Sequence, residues 1–284
     1  RSASTWRHLV KSVKFWSGVH TTSAAAAAVV SASNAGGNKA KGNDVSTSVT
    51  TWDCQTWLCP ETAGKRAIVI LNQPLNCRQR DFIDRLWSAC RVRVAVDGGC
   101  NRLLEVMPQL TPDLITGDLD SVRTDVLDMY RDRGAEVVCT PDQNFTDFTK
   151  CLQVLAERQP SLETVLVFCA PGGRLDQLMA NLNTLYKSDS IMRATVALLS
   201  GEDLTWVLRK GRHRILTPRG FRGDYCGLVP LGSPATVTSQ GLKWDLKSSL
   251  MEFRGLISTS NRFLENSVSV ETTGDILWTM TMNV

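Results

Sequence analysis

Two aspartates stand one residue apart in "TGDLDS" (residues 116–121), directly after the apolar run "DLIT". Neighbouring carboxylates repel one another, and the end of a buried strand is a costly place for them, so a shared cation is the natural compensation. The arrangement recurs along the chain. Asp97 follows "VRVAV", Asp142 and Asp147 follow "VVCT", and Arg174 and Asp176 follow "VLVFCA". One acid after one strand would be an ordinary cap or turn residue. Four consecutive loops of this kind point further, because ligands of open α/β sheets bind at the carboxyl ends of the strands. The cation best suited to such a set is Mg2+, a hard ion that takes carboxylates, water and substrate phosphates. Asp118 and Asp120 would share a face if their loop continued the extended strand. Gly98, Gly99, Gly172 and Gly173 would let backbone amides approach phosphate oxygens. Lys150 and Arg174 supply cations for the remaining phosphate charge, Arg174 as a two-pronged fork. Together these residues describe a metal and polyphosphate site. The DxD pair alone is a weaker signal, since sugar-nucleotide transferases and phosphatases carry it too.

The elements that must hold these residues are legible from residue 65 onward. "AIVIL" (67–71), "VRVAV" (92–96), "DLIT" (113–116), "AEVVCT" (135–140), "TVLVFCA" (164–170) and "ATVALLS" (194–200) are short apolar runs, nearly all separated by amphipathic helical patterns. This alternation predicts an α/β domain over 63–205, a parallel sheet flanked by helices. After about residue 204 the runs shorten and become β-prone, with Gly, Pro and Asn between them, which predicts an all-β, sandwich- or barrel-like domain over 206–284. Residues 1–62 show no apolar periodicity and are expected to be a low-complexity, unstructured extension.

Composition removes several function classes. The chain of 284 residues holds 32 Lys and Arg against 28 Asp and Glu. Arg1, Arg7, Lys11, Lys14, Lys39 and Lys41 fall before residue 44 with no acid among them, so the rest of the chain carries a net charge of −2. Such a body has no basic footprint for nucleic acid. No apolar run approaches the roughly 20 residues that span a bilayer. The basic, Ser-rich and acid-free opening has the composition of an organellar transit peptide or of a plain low-complexity tail. The expected location is therefore cytoplasmic, with mitochondrial as the alternative. Nine cysteines without a CxxC spacing predict free thiols in a reducing compartment. His213 is the sole histidine outside the tail, which argues against a Ser-His-Asp triad or a multi-histidine metal site and leaves the acids to carry the chemistry.

The motifs "LNQPL", "DGGCNRL", "GDLDS", "TPDQNFTDFTKCL", "GGRLDQ", "GLKWDL" and "STSN" recur in one order from about residue 67 to the end. In this the chain resembles thiamine pyrophosphokinases of the eukaryotic type, over roughly three quarters of its length. The resemblance implies transfer of the pyrophosphoryl unit of ATP to thiamine with release of AMP, and a homodimer with sites between subunits. It implies that Asp97, Asp118, Asp120 and Asp147 hold magnesium and ATP. Asn101, Asp176 and Gln177 fall to the nucleotide with the glycines of the same motifs. Gln143 matches a residue near the thiamine pyrimidine, Trp244 the aromatic that stacks on thiamine from the partner subunit, and Ser258, Ser260 and Asn261 the "STSN" segment beside it. Thiamine is a cationic heteroaromatic, so a Trp face would attract it by roughly 0.5–2 kcal/mol. Asp147 is open to two roles, metal ligand or base. A metal-dependent phosphohydrolase would use the same acids, and a non-catalytic thiamine-binding module would need none of them.

Overall fold

The computed structural model describes residues 14–15, 48–59 and 65–283; the leader-like composition of the opening segment lies almost wholly outside them. The apolar runs form six parallel strands: β3 (Arg66–Ile70), β4 (Val92–Val96), β5 (Leu114–Gly117), β6 (Glu136–Cys139), β7 (Thr164–Cys169) and β8 (Thr195–Ser200). A two-residue strand, β1 (Lys14–Phe15), pairs beside β6. Every residue of β3 and β7 is buried, which is why these strands read as nearly continuous apolar runs rather than as an alternation. The helical patterns become α2 (Arg80–Ala89), α3 (Gly99–Val106), α4 (Thr124–Asp132), α5 (Asp147–Arg158) and α6 (Leu175–Ile191). Phe82, Leu86, Leu103 and Val126 of α2–α4 pack on Ile68, Ile70, Ala95 and Ile115 on one face. Phe148, Leu152, Leu155 and Leu185 of α5 and α6 pack on Val69, Val94, Val96 and Val167 on the other.

Strand order across the sheet is β6-β5-β4-β3-β7-β8, so the direction of winding reverses between β3 and β7. The sheet then continues without a break into antiparallel β9 (Asp203–Leu208), β16 (Ile276–Met282), β11 (Arg222–Val229) and β14 (Ser258–Arg262). The boundary expected at 205/206 therefore falls inside β9, and both halves of the chain share one sheet. A second sheet, β13 (Ser249–Met251), β12 (Ala235–Gln240), β15 (Ser267–Thr272), β10 (Gly211–Leu216) and β2 (Val49–Asp53), completes the all-β part. Its Ile215, Val237, Val268 and Val270 share a core with Trp206, Trp278 and Met280 of the first sheet.

The expected unstructured extension to residue 62 is corrected here for residues 49–58. Val49–Asp53 adds β2 in parallel to the edge of β10, and α1 (Cys54–Leu58) follows at once. Two short elements of five residues each are below the length at which periodicity shows in a sequence. Trp57 meets Trp206 edge-on with ring centroids 5.2 Å apart. The buried Arg66 guanidinium donates to the carbonyls of Thr56, Trp57 and Cys59, satisfying the C-terminal end of α1.

Trp52 Nε1 donates to His213 Nδ1 at 3.0 Å, so His213 carries its proton on Nε2, which lies 2.7 Å from the Arg209 carbonyl it donates to. A second proton would oppose the indole N–H directly. Burial also lowers the His213 pKa, against the Arg209 hydrogen bond that raises it. A depressed folded pKa means that this contribution to stability is complete above the ordinary value of about 6.5 and is lost as pH falls through the folded value. Thermal melts from pH 7.5 to 5 are expected to fall more steeply for the wild type than for His213→Gln, by up to about 1.4 kcal/mol per pH unit. Parallel curves would remove His213 as the titrating group.

Candidate active site

Asp97 sits just past β4 with φ 46°, and its N–H donates to the Thr116 carbonyl at 2.7 Å. Gly117, at φ 140°, faces it so closely that a Cβ would come within 2.8 Å of the Asp97 Cβ. Only glycine allows the ends of β4 and β5 to approach in this way. Asp97 Oδ1 then accepts the N–H groups of Ser121 and Val122, each at 3.1 Å. Asn101 braces the same loop from α3, donating to the Ser121 carbonyl at 2.9 Å and accepting from Arg123 N–H at 3.1 Å. Both ends of the Asn101 carboxamide thus bond the loop that carries the aspartates.

Leu119 takes φ 68°, so the loop turns instead of extending the strand. The expectation that Asp118 and Asp120 share a face by alternation is corrected accordingly. One carboxylate oxygen each from Asp97, Asp118 and Asp147 lies within 4.8 Å of the others. Asp120 lines the same cavity outside this trio, with Oδ1 accepting from Ser121 Oγ at 2.8 Å.

Asp147 arrives from the third strand end. Thr146 caps α5 by accepting the Thr149 N–H at 3.2 Å, which fixes Asp147 in the first turn and Lys150 one turn on. Lys150 is 1% exposed, with Nζ 2.7 Å from Asp147 Oδ1 and donating to the Thr140 carbonyl at 2.8 Å. Burial pushes the Asp147 carboxyl above its ordinary pKa; Lys150 opposes this, and the charges of Asp118 and Asp97 reinforce it. A lone lysine facing several acids leaves net negative charge. The donors are all oxygen, the set a hard divalent ion selects.

The acids open onto a cavity of about 450 Å3. Gln143 Nε2 donates to Asp118 Oδ2 at 2.7 Å on its rim, and Gln177 lines it from α6. Other expected residues lie elsewhere. Arg174, the residue before α6, pairs with Asp176 of its first turn at 3.1 Å; both are exposed, as are Gly172 and Gly173, and none of the four lines the cavity. Gly98 and Gly99 serve packing, because a Cβ would overlap the Asn72 side chain at one and the Ile70 carbonyl at the other. Trp244, Ser258, Ser260 and Asn261 stand in the β-rich part, and none of them lines the cavity. Trp244 is 54% exposed. The buried Asn261 accepts from Trp244 N–H at 3.1 Å and donates to its carbonyl at 2.8 Å, so it holds the backbone that presents the tryptophan. Lys243 Nζ lies 4.6 Å from the Trp244 ring centroid, which shows the ring already accepting a cation.

Among the uncharged lining residues to which the sequence assigned no role are Asn72 and Gln73 after β3, and Asn181 within α6. The first two follow a strand end as the acids do, and that position was the available signal.

Two family models match the chain: the thiamin pyrophosphokinase catalytic domain over 83–196 and the thiamin pyrophosphokinase vitamin B1 binding domain over 212–277. Thiamine pyrophosphokinase 1 of Oryza sativa subsp. japonica is 38% identical over 242 residues, covering 78% of this chain and 89% of that protein. Thiamine pyrophosphokinase 2 of Arabidopsis thaliana is 38% identical over 245 residues, covering 79% and 89%. The structure of thiamin pyrophosphokinase from Candida albicans superposes with a TM-score of 0.72 at 27% identity, covering 83% of this chain and 93% of that one. With sequence relatives of this similarity and coverage, a shared fold, and family models on both halves, the chain belongs to the thiamine pyrophosphokinase family.

Proposed function

We propose that the cavity at the carboxyl edge of the sheet is where this chain performs its family's reaction, the transfer of a pyrophosphoryl group from ATP to thiamine to give thiamine diphosphate and AMP. The observation that carries the assignment is the convergence of Asp97, Asp118 and Asp147 from three successive strand ends, beside a buried lysine. These carboxylates would hold Mg2+, with Asp120 at the edge of the set; when bound, the ion neutralises phosphate charge. The protein's own part is placement. Asp97 and Asn101 fix the 117–123 loop, and Lys150 keeps Asp147 in register while presenting positive charge to the transferred group. Gln143, which donates to Asp118 on the rim of the cavity, would bind the pyrimidine of thiamine. Asp147, raised in pKa and adjacent to Lys150, suits either metal binding or acceptance of the hydroxyl proton. Incubation with ATP should yield AMP only when thiamine and Mg2+ are both present. Release of phosphate without thiamine would instead assign a phosphohydrolase.

We further propose a homodimer in which the Trp244 of one subunit serves the acids of the other. Supporting this, Trp244 is exposed and off its own cavity, and Leu250, Phe253, Leu256 and Ile257 are exposed in the same half of the chain. Mixing inactive Asp118→Asn with inactive Trp244→Ala under subunit exchange should restore about a quarter of full activity, since half the dimers are mixed and each has one intact site. Activity at the mutant level after confirmed exchange would assign the site to a single chain. Among the described residues no helix is long and apolar enough to cross a membrane. The free cysteines support a reducing compartment, with the cytoplasm preferred over the mitochondrion.

A further inference from the structure

We infer that Asn181 reads the adenine of ATP from the floor of the cavity. This rests on the ATP assignment above and adds where the nucleoside lies and what selects it. Asn181 is 7% exposed and lines the cavity, yet its Nδ2 has no hydrogen-bond partner. Buried side-chain donors are nearly always satisfied in folded proteins, so an orphan donor on a side chain that lines a cavity points to a ligand acceptor.

The cavity is polarised. Its acids all come from the strand ends on one side, β4, β5 and β6, whereas its far end is lined by Asn72 and Gln73 after β3 and by Gln177 and Asn181 on the helix after β7. That far end spans the reversal between β3 and β7, the crevice where doubly wound sheets take nucleotides. Gln73 has its carbonyl committed to the Ala170 N–H at 2.7 Å, which ties the two sides of the crevice together. A triphosphate drawn to the acidic end carries its uncharged nucleoside on the other side of the α-phosphate, and neutral amides match an uncharged group. Apolar surface from Leu71, Val96, Phe145 and Ala180 in the same lining suits the faces of a flat ring. An Asn carboxamide offers a coplanar donor and acceptor, complementary to adenine N7 and N6. Guanine presents two acceptors along that edge and would set its O6 against the amide oxygen.

Equilibrium binding of AMP, without metal or thiamine, isolates this contact. Wild-type protein should bind AMP at least about tenfold more tightly than GMP or ribose 5-phosphate. Asn181→Leu, which keeps the branching and heavy-atom count and removes the orphan donor, should lose that preference and raise the KM for ATP about tenfold or more, leaving the KM for thiamine in place. Asn181→Ala should behave alike. Equal wild-type affinity for AMP and GMP would overturn the inference without requiring any variant to fold. So would a folded Asn181→Leu protein that binds AMP within twofold of wild type, or one whose loss falls on thiamine. If wild-type protein still forms AMP and thiamine diphosphate, any of these three results removes only the adenine contact. Absence of that product would remove the ATP assignment itself.

Discussion

Asp118→Asn is expected to reduce turnover by about a hundredfold to a thousandfold while leaving the melting temperature within about 2 °C of wild type. The change is isosteric and removes one charge from a trio whose oxygens lie within 4.8 Å of one another. Asp118 contributes little to the fold: its side chain accepts from Gln143 Nε2 at 2.7 Å and, weakly, from Asp120 N–H at 3.4 Å. Neither contact joins elements of the core. Asp97→Asn is the informative contrast, because Asp97 Oδ1 accepts two backbone N–H groups of the loop that carries the other acids. That variant should lose activity and stability together, since charge-assisted bonds to backbone amides contribute roughly 1.5–3 kcal/mol each. Initial-rate measurements with saturating ATP, thiamine and Mg2+, paired with thermal melts, separate the two cases. Retention of more than about a tenth of wild-type turnover by Asp118→Asn, a loss below roughly 1.4 kcal/mol, would exclude it from the reacting centre.

What the sequence disclosed follows from which physical signals are local. Buried parallel strands need unbroken apolar runs, so β3 to β8 were visible, and their spacing implied the helices between them. The acids were visible because charge at the end of a buried strand demands a reason. Their mutual geometry was not. Leu119 turns the loop at φ 68°, and Asp97 takes φ 46° where it packs against Gly117; these backbone conformations set which carboxylates converge. The GGR segment shows a different limit: Arg174 and Asp176 stand after the right strand, and the structure pairs them with each other at the surface, a contact that no sequence pattern announces. Asn181 needed the structure outright, because a neutral residue inside a helical pattern carries no charge to betray a site.

The other large effect is expected far from the acids, at Trp57. Trp57→Ala should cost about 3–5 kcal/mol of stability, the range for truncating a buried aromatic, and lower the melting temperature by roughly 6–20 °C. Trp57 is 9% exposed and stands edge-on to both Trp52 and Trp206, with centroids 5.9 and 5.2 Å away. Its backbone carbonyl is held by Arg66, which is 3% exposed and has no carboxylate partner within ion-pairing distance among the described residues. Loss of the indole would loosen α1 and leave that guanidinium without well-placed acceptors, a buried cation whose desolvation is then uncompensated. It would also free β2, whose parallel pairing covers the edge of β10. The consequence is directional. Because the strap of residues 49–58 joins the start of the α/β sheet to the second sheet of the β-rich part, its release should weaken the cohesion of the whole chain and not one half. A single, cooperative melt at lower temperature is therefore expected, with turnover per folded molecule close to wild type well below the transition, since Trp57 is no part of the cavity lining. Truncation through residue 59 should be at least as damaging as the point change. A Trp57→Ala protein, or that truncation, melting within about 2 °C of wild type would show that the strap is dispensable and that the α/β and β-rich parts hold together through β9 and β16 alone.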